Sequence, residues 1–119
     1  PTRTLQKLVD HSDHTMEQLH YSFAGQHRPA LFPPVMVGVV GSGNLEMLVE
    51  AAPGSGQCAL HIDTSARGFG TIWQAVAEDF HQRHQLADVR ISVNDMGATP
   101  AVVSLRLDQA VAELQGAST

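Results

Sequence analysis

Hydrophobic and polar residues alternate along four stretches of the chain, which is the pattern of strands that bury one face. In the first stretch, Leu19, Tyr21 and Phe23 alternate with polar residues. The stretch at 45–49 alternates in the same way, although Leu48 also permits a helix there. A short apolar run adds a fifth candidate strand. The five predicted strands cover residues 17–23, 35–40, 45–49, 58–63 and 89–93.

Two other segments carry apolar residues three and four positions apart, which predicts amphipathic helices. The first runs from about Thr71 to His84, and the second begins at Thr99-Pro100. Thr is a good N-cap residue and Pro is well suited to the first helical position. The predicted buried face of the first helix consists of Ile72, Trp73, Val76, Ala77 and Phe80. That of the second consists of Val103, Leu107, Ala110, Val111 and Leu114.

The predicted elements follow the order strands, helix, strand, helix, which is typical of an α+β fold. We therefore expect a mostly antiparallel sheet of about four to five strands with two helices packed on one face. Short connections across 35–63 favour an antiparallel meander for the strands in that region. Residues 1–15 are mostly polar, and we expect an N-terminal extension that is mobile or loosely docked. Residues 16–119 then form the domain.

Composition excludes several classes of partner. The chain has 119 residues, a net charge of −5 and only seven Lys and Arg residues. A chain of this length supports one modest core, and the scarcity of cations argues against nucleic acid. No apolar run approaches the roughly 20 residues of a membrane span. Cys58 is the single cysteine, so an internal disulfide is excluded, and we expect its side chain in the core. A chain without disulfides is typical of a reducing cytosol, so we expect a cytoplasmic protein.

The tripeptide Gly41-Ser42-Gly43 lies where the apolar run 35–40 ends, and the glycines leave the Ser42 hydroxyl accessible. One interpretation is a hairpin tip, because Gly, Ser and Asn are ordinary turn residues. Another is a dinucleotide-binding fingerprint, with Asp63 as the ribose-binding acid. Against this, Glu46 stands where the fingerprint needs Gly or Ala, and its charge would repel a pyrophosphate. The third interpretation is that Ser42 carries a covalently attached group.

Histidines and carboxylates suggest two further sites, and neither is favoured. His81 and His84 lie one helical turn apart, but no third ligand is within reach in the sequence, whereas structural zinc usually has four. Ser42, His61 and Asp63 could be imagined as a hydrolase triad. His61 and Asp63 lie side by side on one predicted strand, without the relay geometry that a triad requires. We therefore expect neither a metal site nor a catalytic triad.

Two well-separated segments carry a family resemblance. They are Val37-Gly-Val-Val-Gly-Ser-Gly-Asn-Leu-Glu46 and Asn94-Asp-Met-Gly-Ala-Thr-Pro-Ala-Val-Val-Ser-Leu-Arg-Leu107. Both resemble the acyl carrier (delta) subunit of malonate decarboxylase, and the resemblance covers roughly residues 16–114. Met16 resembles the natural start of the family's chains. The family usually has Asp where this chain has Asn44, a departure that does not touch the serine.

The resemblance implies that Ser42 carries 2'-(5''-phosphoribosyl)-3'-dephospho-CoA through a phosphodiester, with Gly41 and Gly43 beside it. The thiol of this group would carry malonyl and acetyl thioesters, so the chain would be a non-catalytic carrier in a biotin-independent malonate decarboxylase. Implied partners are the acyltransferase (alpha) subunit, the decarboxylase (beta, gamma) subunits, the prosthetic-group transferase and a malonyl transferase. Asp95 is expected to orient the loop or a partner surface near the modified serine. A small nucleotide-binding domain and a non-catalytic interaction subunit remain the alternatives.

Overall fold

The structure, a computed structural model, describes residues 16–38 and 45–117, with side chains to residue 114. Five strands and two helices lie within these ranges. The strands are β1 Glu17–Ala24, β2 Val35–Val37, β3 Leu45–Ala51, β4 Gln57–Thr64 and β5 Val89–Asp95. The helices are α1 Gly70–His84 and α2 Pro100–Ala117. The predicted extension at 1–15 lies outside the described residues, so the domain boundary stays a prediction.

The strands form one sheet in the order β1-β4-β5-β3-β2. Three neighbouring pairs are antiparallel, whereas β4 and β5 are parallel. The α+β class, the strand number and the two helices are confirmed, but the sheet is mixed. The predicted meander is wrong, because β5 lies between β3 and β4. A parallel pair needs a crossover connection, and the intervening α1 provides it.

Both helices lie on the same face of the sheet, as predicted. The alternating residues of β3, β4 and β5 are buried beneath them, with Met47, Ile62 and Ile91 at most 1% exposed. All five residues of the predicted α2 face are buried. In α1, Trp73, Ala77 and Phe80 are buried, but Ile72 is 41% exposed. Neither α1 nor α2 covers the other face of the sheet, which is called the uncovered face in this respect only.

Candidate functional site at one end of the sheet

One end of the sheet brings together residues from three strands. Asp95 at the end of β5 pairs with Leu45 on one side and with Thr64 on the other. Leu45 begins β3, and Gly38 directly follows β2, its antiparallel partner. Gly41, Ser42 and Gly43 belong to the connection between these strands and lie outside the described residues. The described residues on both sides of this connection therefore lie at the sheet end that contains Asp95.

Gly38 ends β2 earlier than the apolar run predicts. Its φ is +95°, in the region that favours glycine, and a Cβ atom at this position would lie 2.3 Å from the carbonyl oxygen of Leu45. Real Cβ contacts are never this short, so only glycine fits between the two strands. The sequence predicts a strand to Val40, whereas the observed strand stops at Val37 because Gly38 turns the backbone.

A second Gly-Ser-Gly, Gly54-Ser55-Gly56, lies at the opposite end of the sheet, between β3 and β4. The amide of Gly56 donates to Asp88 Oδ1 at 2.7 Å, and its carbonyl accepts from Gly25 N at 3.1 Å. The Ser55 hydroxyl lies 3.3 Å from both the carbonyl oxygen and the amide nitrogen of Gln57. These bonds make this tripeptide a structural turn, and Ser55 is a matched comparison for Ser42.

The element after the first Gly-Ser-Gly decides against the dinucleotide-binding interpretation. That fingerprint needs a helix whose N-terminus faces the pyrophosphate. Residues 45–51 instead form β3, paired on both sides by β2 and β5. Asp63, the supposed ribose-binding acid, lies on β4, and β5 separates β4 from β3. The alternating pattern of 45–49 indicated the strand correctly, and Leu48 lies on the uncovered face.

Asp95 organises the sheet end through three hydrogen bonds. It is 1% exposed, and its Oδ2 accepts from the Thr64 hydroxyl at 2.7 Å. Its Oδ1 accepts from the backbone amides of Gly97 and Ala98 at 3.2 and 2.8 Å. Thr64 Oγ1 also accepts from Ala66 N at 3.0 Å. A buried carboxylate needs such partners, and here they fix the loops that lead into α1 and α2.

An apolar cavity of about 320 Å³ opens beside Asp95, between the first turns of α1 and α2. Its lining includes the side chains of Phe69, Ile72 and Trp73 on the α1 side and Val103 on the α2 side. The sequence pattern indicated an unbroken apolar stripe on α1 and gave no sign of the cavity. Two loops and two helix starts enclose it, so only the packing of the helices could reveal it.

A second hollow, called the polar hollow because most of its lining residues are polar, lies on the uncovered face at the same sheet end. Glu46, Asp63, Ser92 and Asn94 line it together with His61. The Asp63 Oδ1 atom is buried and has no hydrogen-bond partner within residues 16–38 and 45–117. The ring of His61 meets that of His20 edge-on, with centroids 4.0 Å apart. These contacts do not form the His–Asp relay of a triad.

The two helical histidines have separate partners. His81 Nε2 lies 3.0 Å from the carbonyl oxygen of Ala24, and His84 Nε2 lies 2.9 Å from Asp108 Oδ1. In the part of the chain that the structure describes, no three His, Cys, Asp or Glu side chains are grouped so as to hold a metal ion. Neither described helix is long and apolar enough to cross a membrane.

Comparison with known proteins agrees with this architecture. The family model described as malonate decarboxylase delta subunit (MdcD) matches residues 33–114. A malonate decarboxylase acyl carrier protein of Burkholderia cepacia is 65% identical over 99 residues, covering 83% of this chain and 91% of that protein. One from Xanthomonas euvesicatoria pv. vesicatoria is 61% identical over 103 residues, covering 86% of this chain and 98% of that protein.

A solved structure has the same fold. It is the crystal structure of a Pseudomonas malonate decarboxylase hetero-tetramer in complex with malonate. One of its chains is similar to this protein with a TM-score of 0.66 and 36% sequence identity, covering 82% of this chain and 98% of that chain. The segment that the family model matches, residues 33–114, includes the Gly41-Ser42-Gly43 connection and the Asp95 loop. The chain therefore belongs to the malonate decarboxylase delta-subunit family of acyl carrier proteins.

Proposed function

We propose that this acyl carrier subunit of malonate decarboxylase works through a 2'-(5''-phosphoribosyl)-3'-dephospho-CoA group joined to Ser42 by a phosphodiester. The observation that carries the proposal is the family match across 33–114, which includes the glycine-flanked serine. Glycines at 41 and 43 have no side chains that would shield the hydroxyl from a large transferase. In the second Gly-Ser-Gly, Ser55 and Gly56 are held in a hydrogen-bonded turn, so Ser55 serves as the comparison for Ser42.

The described residues beside the connection limit where the proposed attachment point can lie. Ser42 precedes Leu45 by three residues, and an extended chain spans at most about 3.6 Å per residue. The Ser42 Cα therefore lies within about 11 Å of the Leu45 Cα. This upper limit supports a proposed attachment point near the sheet end that Asp95 and Thr64 organise. Gly38, where no side chain fits, lets the chain leave the sheet at a fixed point.

In this proposal the partner subunits catalyse the reactions, and this chain carries the acyl group between them. When bound, the group would supply a thiol that holds the acyl unit as a thioester, whose carbonyl accepts negative charge as carbon dioxide leaves. A partner's oxyanion hole would stabilise that charge. The chain's own residues fix where the arm begins, and the tether raises the local concentration of the acyl unit at each partner. Expected partners are the alpha, beta and gamma subunits, the prosthetic-group transferase and a malonyl transferase.

The test compares Ser42→Ala with Ser55→Ala in a strain that expresses the complete malonate decarboxylase and its prosthetic-group enzymes. Intact mass and peptide mapping would locate the added group, and malonate-dependent carbon dioxide release would report activity. We expect Ser42→Ala to fold and assemble normally but to lose both the added mass and decarboxylation. Ser55→Ala should keep both.

Two results would contradict the proposal. One is an unmodified Ser42 in active wild-type complex. The other is decarboxylation that survives the Ser42→Ala substitution. Either result would favour the remaining alternative, an interaction subunit that carries no acyl group.

A further inference from the structure

We propose that the apolar cavity between α1 and α2 shelters the acetyl-bearing end of the tethered group in preference to its malonyl-bearing form. The inference rests on the proposed attachment at Ser42. It adds a role for residues that the attachment itself does not use, namely the side chains around Trp73. The carrier would then protect its product thioester from water while leaving the substrate thioester available to partners.

The cavity has the surface of a site for an apolar group. Its rim exposes Phe69 and Ile72, which are 47% and 41% accessible to solvent, while Trp73 behind them is 6% exposed. Large apolar residues gathered at one opening are uncommon on a monomer surface unless they bind something. A volume of about 320 Å³ is within the range of small-molecule pockets. The cavity is therefore large enough for the acyl group and the adjoining end of the arm.

The cavity lies within reach of the attachment point. Asp95 lines it and pairs with Leu45 across the ladder, where Cα atoms are about 5 Å apart. Adding the three residues back to Ser42 gives an upper limit of about 16 Å between the Ser42 and Asp95 Cα atoms. A phosphoribosyl group followed by a pantetheine chain is longer than this gap. The tether therefore allows the thioester to enter the cavity without any rearrangement of the sheet.

Charge decides which thioester enters. Among the described residues that line the cavity, Asp95 alone is ionisable, and its carboxylate is fixed by Thr64 and by the amides of Gly97 and Ala98. The amide of Val102 in the first turn of α2 is likewise bound, to the Thr99 hydroxyl at 3.3 Å. A malonyl carboxylate would meet a second carboxylate there, and the amides of Gly97, Ala98 and Val102 already have acceptors. An uncompensated buried charge is costly, whereas the acetyl group is neutral.

The polar hollow on the other face is a poorer site for the arm. Glu46 and Asp63 line it, and its described lining contains no Lys or Arg. The nucleotide part of the group carries several phosphate charges, so carboxylates in the hollow would repel it. The apolar cavity is thus the better of the two sites at this sheet end.

The first experiment compares two thioesters on wild-type carrier. Acetyl- and malonyl-loaded forms would be treated with hydroxylamine, and thioester cleavage would be followed by intact mass. Each rate would be divided by the rate for the same carrier in denaturant, which removes intrinsic reactivity. We expect the acetyl form to be protected about tenfold, the factor that burial of roughly two methylene groups supplies, and the malonyl form to show little protection.

A cavity-filling variant tests the location. Ala66 lines the cavity, and Ala66→Leu should abolish protection of the acetyl thioester. Ala112→Leu, the same change at an exposed position on α2, is the control and should keep it. Trp73 is the only tryptophan, so its fluorescence should change on acetyl loading in wild type and Ala112→Leu but not in Ala66→Leu. Circular dichroism would establish that both variants fold.

The outcomes separate this inference from the proposed function. If no mass is added to the Ser42 peptide, the proposed function itself fails. If the mass is added but both thioesters are cleaved equally fast, the sheltering proposal is overturned and the carrier role stands. The same conclusion follows if a folded Ala66→Leu protects the acetyl thioester as well as wild type does. The wild-type comparison needs no variant, so the proposal remains open to refutation even if Ala66→Leu does not fold.

Discussion

Replacing Asp95 with alanine should destabilise the chain strongly, because it leaves three donors without their acceptor. The lost bonds come from the buried Thr64 hydroxyl and from the amides of Gly97 and Ala98. A hydrogen bond to a charged group contributes about 1.5–3 kcal/mol, and the loop amides can recover part of this by binding water. We expect a loss of about 3–4 kcal/mol, which is a large fraction of the 5–15 kcal/mol typical of a domain.

Urea unfolding of the unmodified carrier would measure this loss, with a midpoint lower by about 2 M for an m-value of roughly 1.5–2 kcal/mol/M. Asp95→Asn should lose only about 1 kcal/mol, since its amide oxygen still accepts from the loop. Asn94→Ala, at the exposed neighbouring position, is the control and should change stability by less than about 0.5 kcal/mol. A midpoint for Asp95→Ala close to that of wild type would refute the reasoning.

Three further predictions concern other parts of the fold. Gly38→Ala should lower the free energy of unfolding, measured in urea, by more than Gly54→Ala does. Both substitutions incur roughly 1–2 kcal/mol of strain at positive φ, but only the alanine at 38 would meet a backbone carbonyl oxygen at 2.3 Å. Equal losses in the two variants would contradict the close contact. The amide of Gly56 lowers the pKa of Asp88, so this carboxylate stabilises the fold above the ordinary pKa of aspartate and ceases to do so as the pH falls through its lowered value. Asp88→Asn should therefore reduce the urea midpoint at pH 7, and this reduction should become smaller as the pH falls below the ordinary pKa of aspartate; an equal loss at pH 7 and pH 3 would argue against it. Burial raises the pKa of Cys58 to about 12, so iodoacetamide at pH 8 should alkylate it only in unfolded chains; rapid alkylation without urea would show that the thiol is accessible.

Local patterns predicted most of the elements, since they depend on spacing within one segment. The period-two alternation at β1 and β4 and the helical spacing in α2 are set by which residues must face a core. Thr99 caps α2 as predicted, with its hydroxyl accepting from the amide of Val102 at 3.3 Å. The strand predicted from the apolar run 35–40 was too long, because hydrophobicity does not indicate that the backbone turns at Gly38.

The sequence by itself determined the α+β class, the buried face of α2 and, through two separated motifs, the family of carriers to which the chain belongs. It also singled out Ser42, whose attachment role remains a proposal. Tertiary structure decided that β5 lies between β3 and β4 and that Asp95 ties Thr64 to the loop before α2. It also decided that a cavity remains between the helix starts. These features join residues distant in the chain, and neighbouring residues carry no information about which distant segments will pack together.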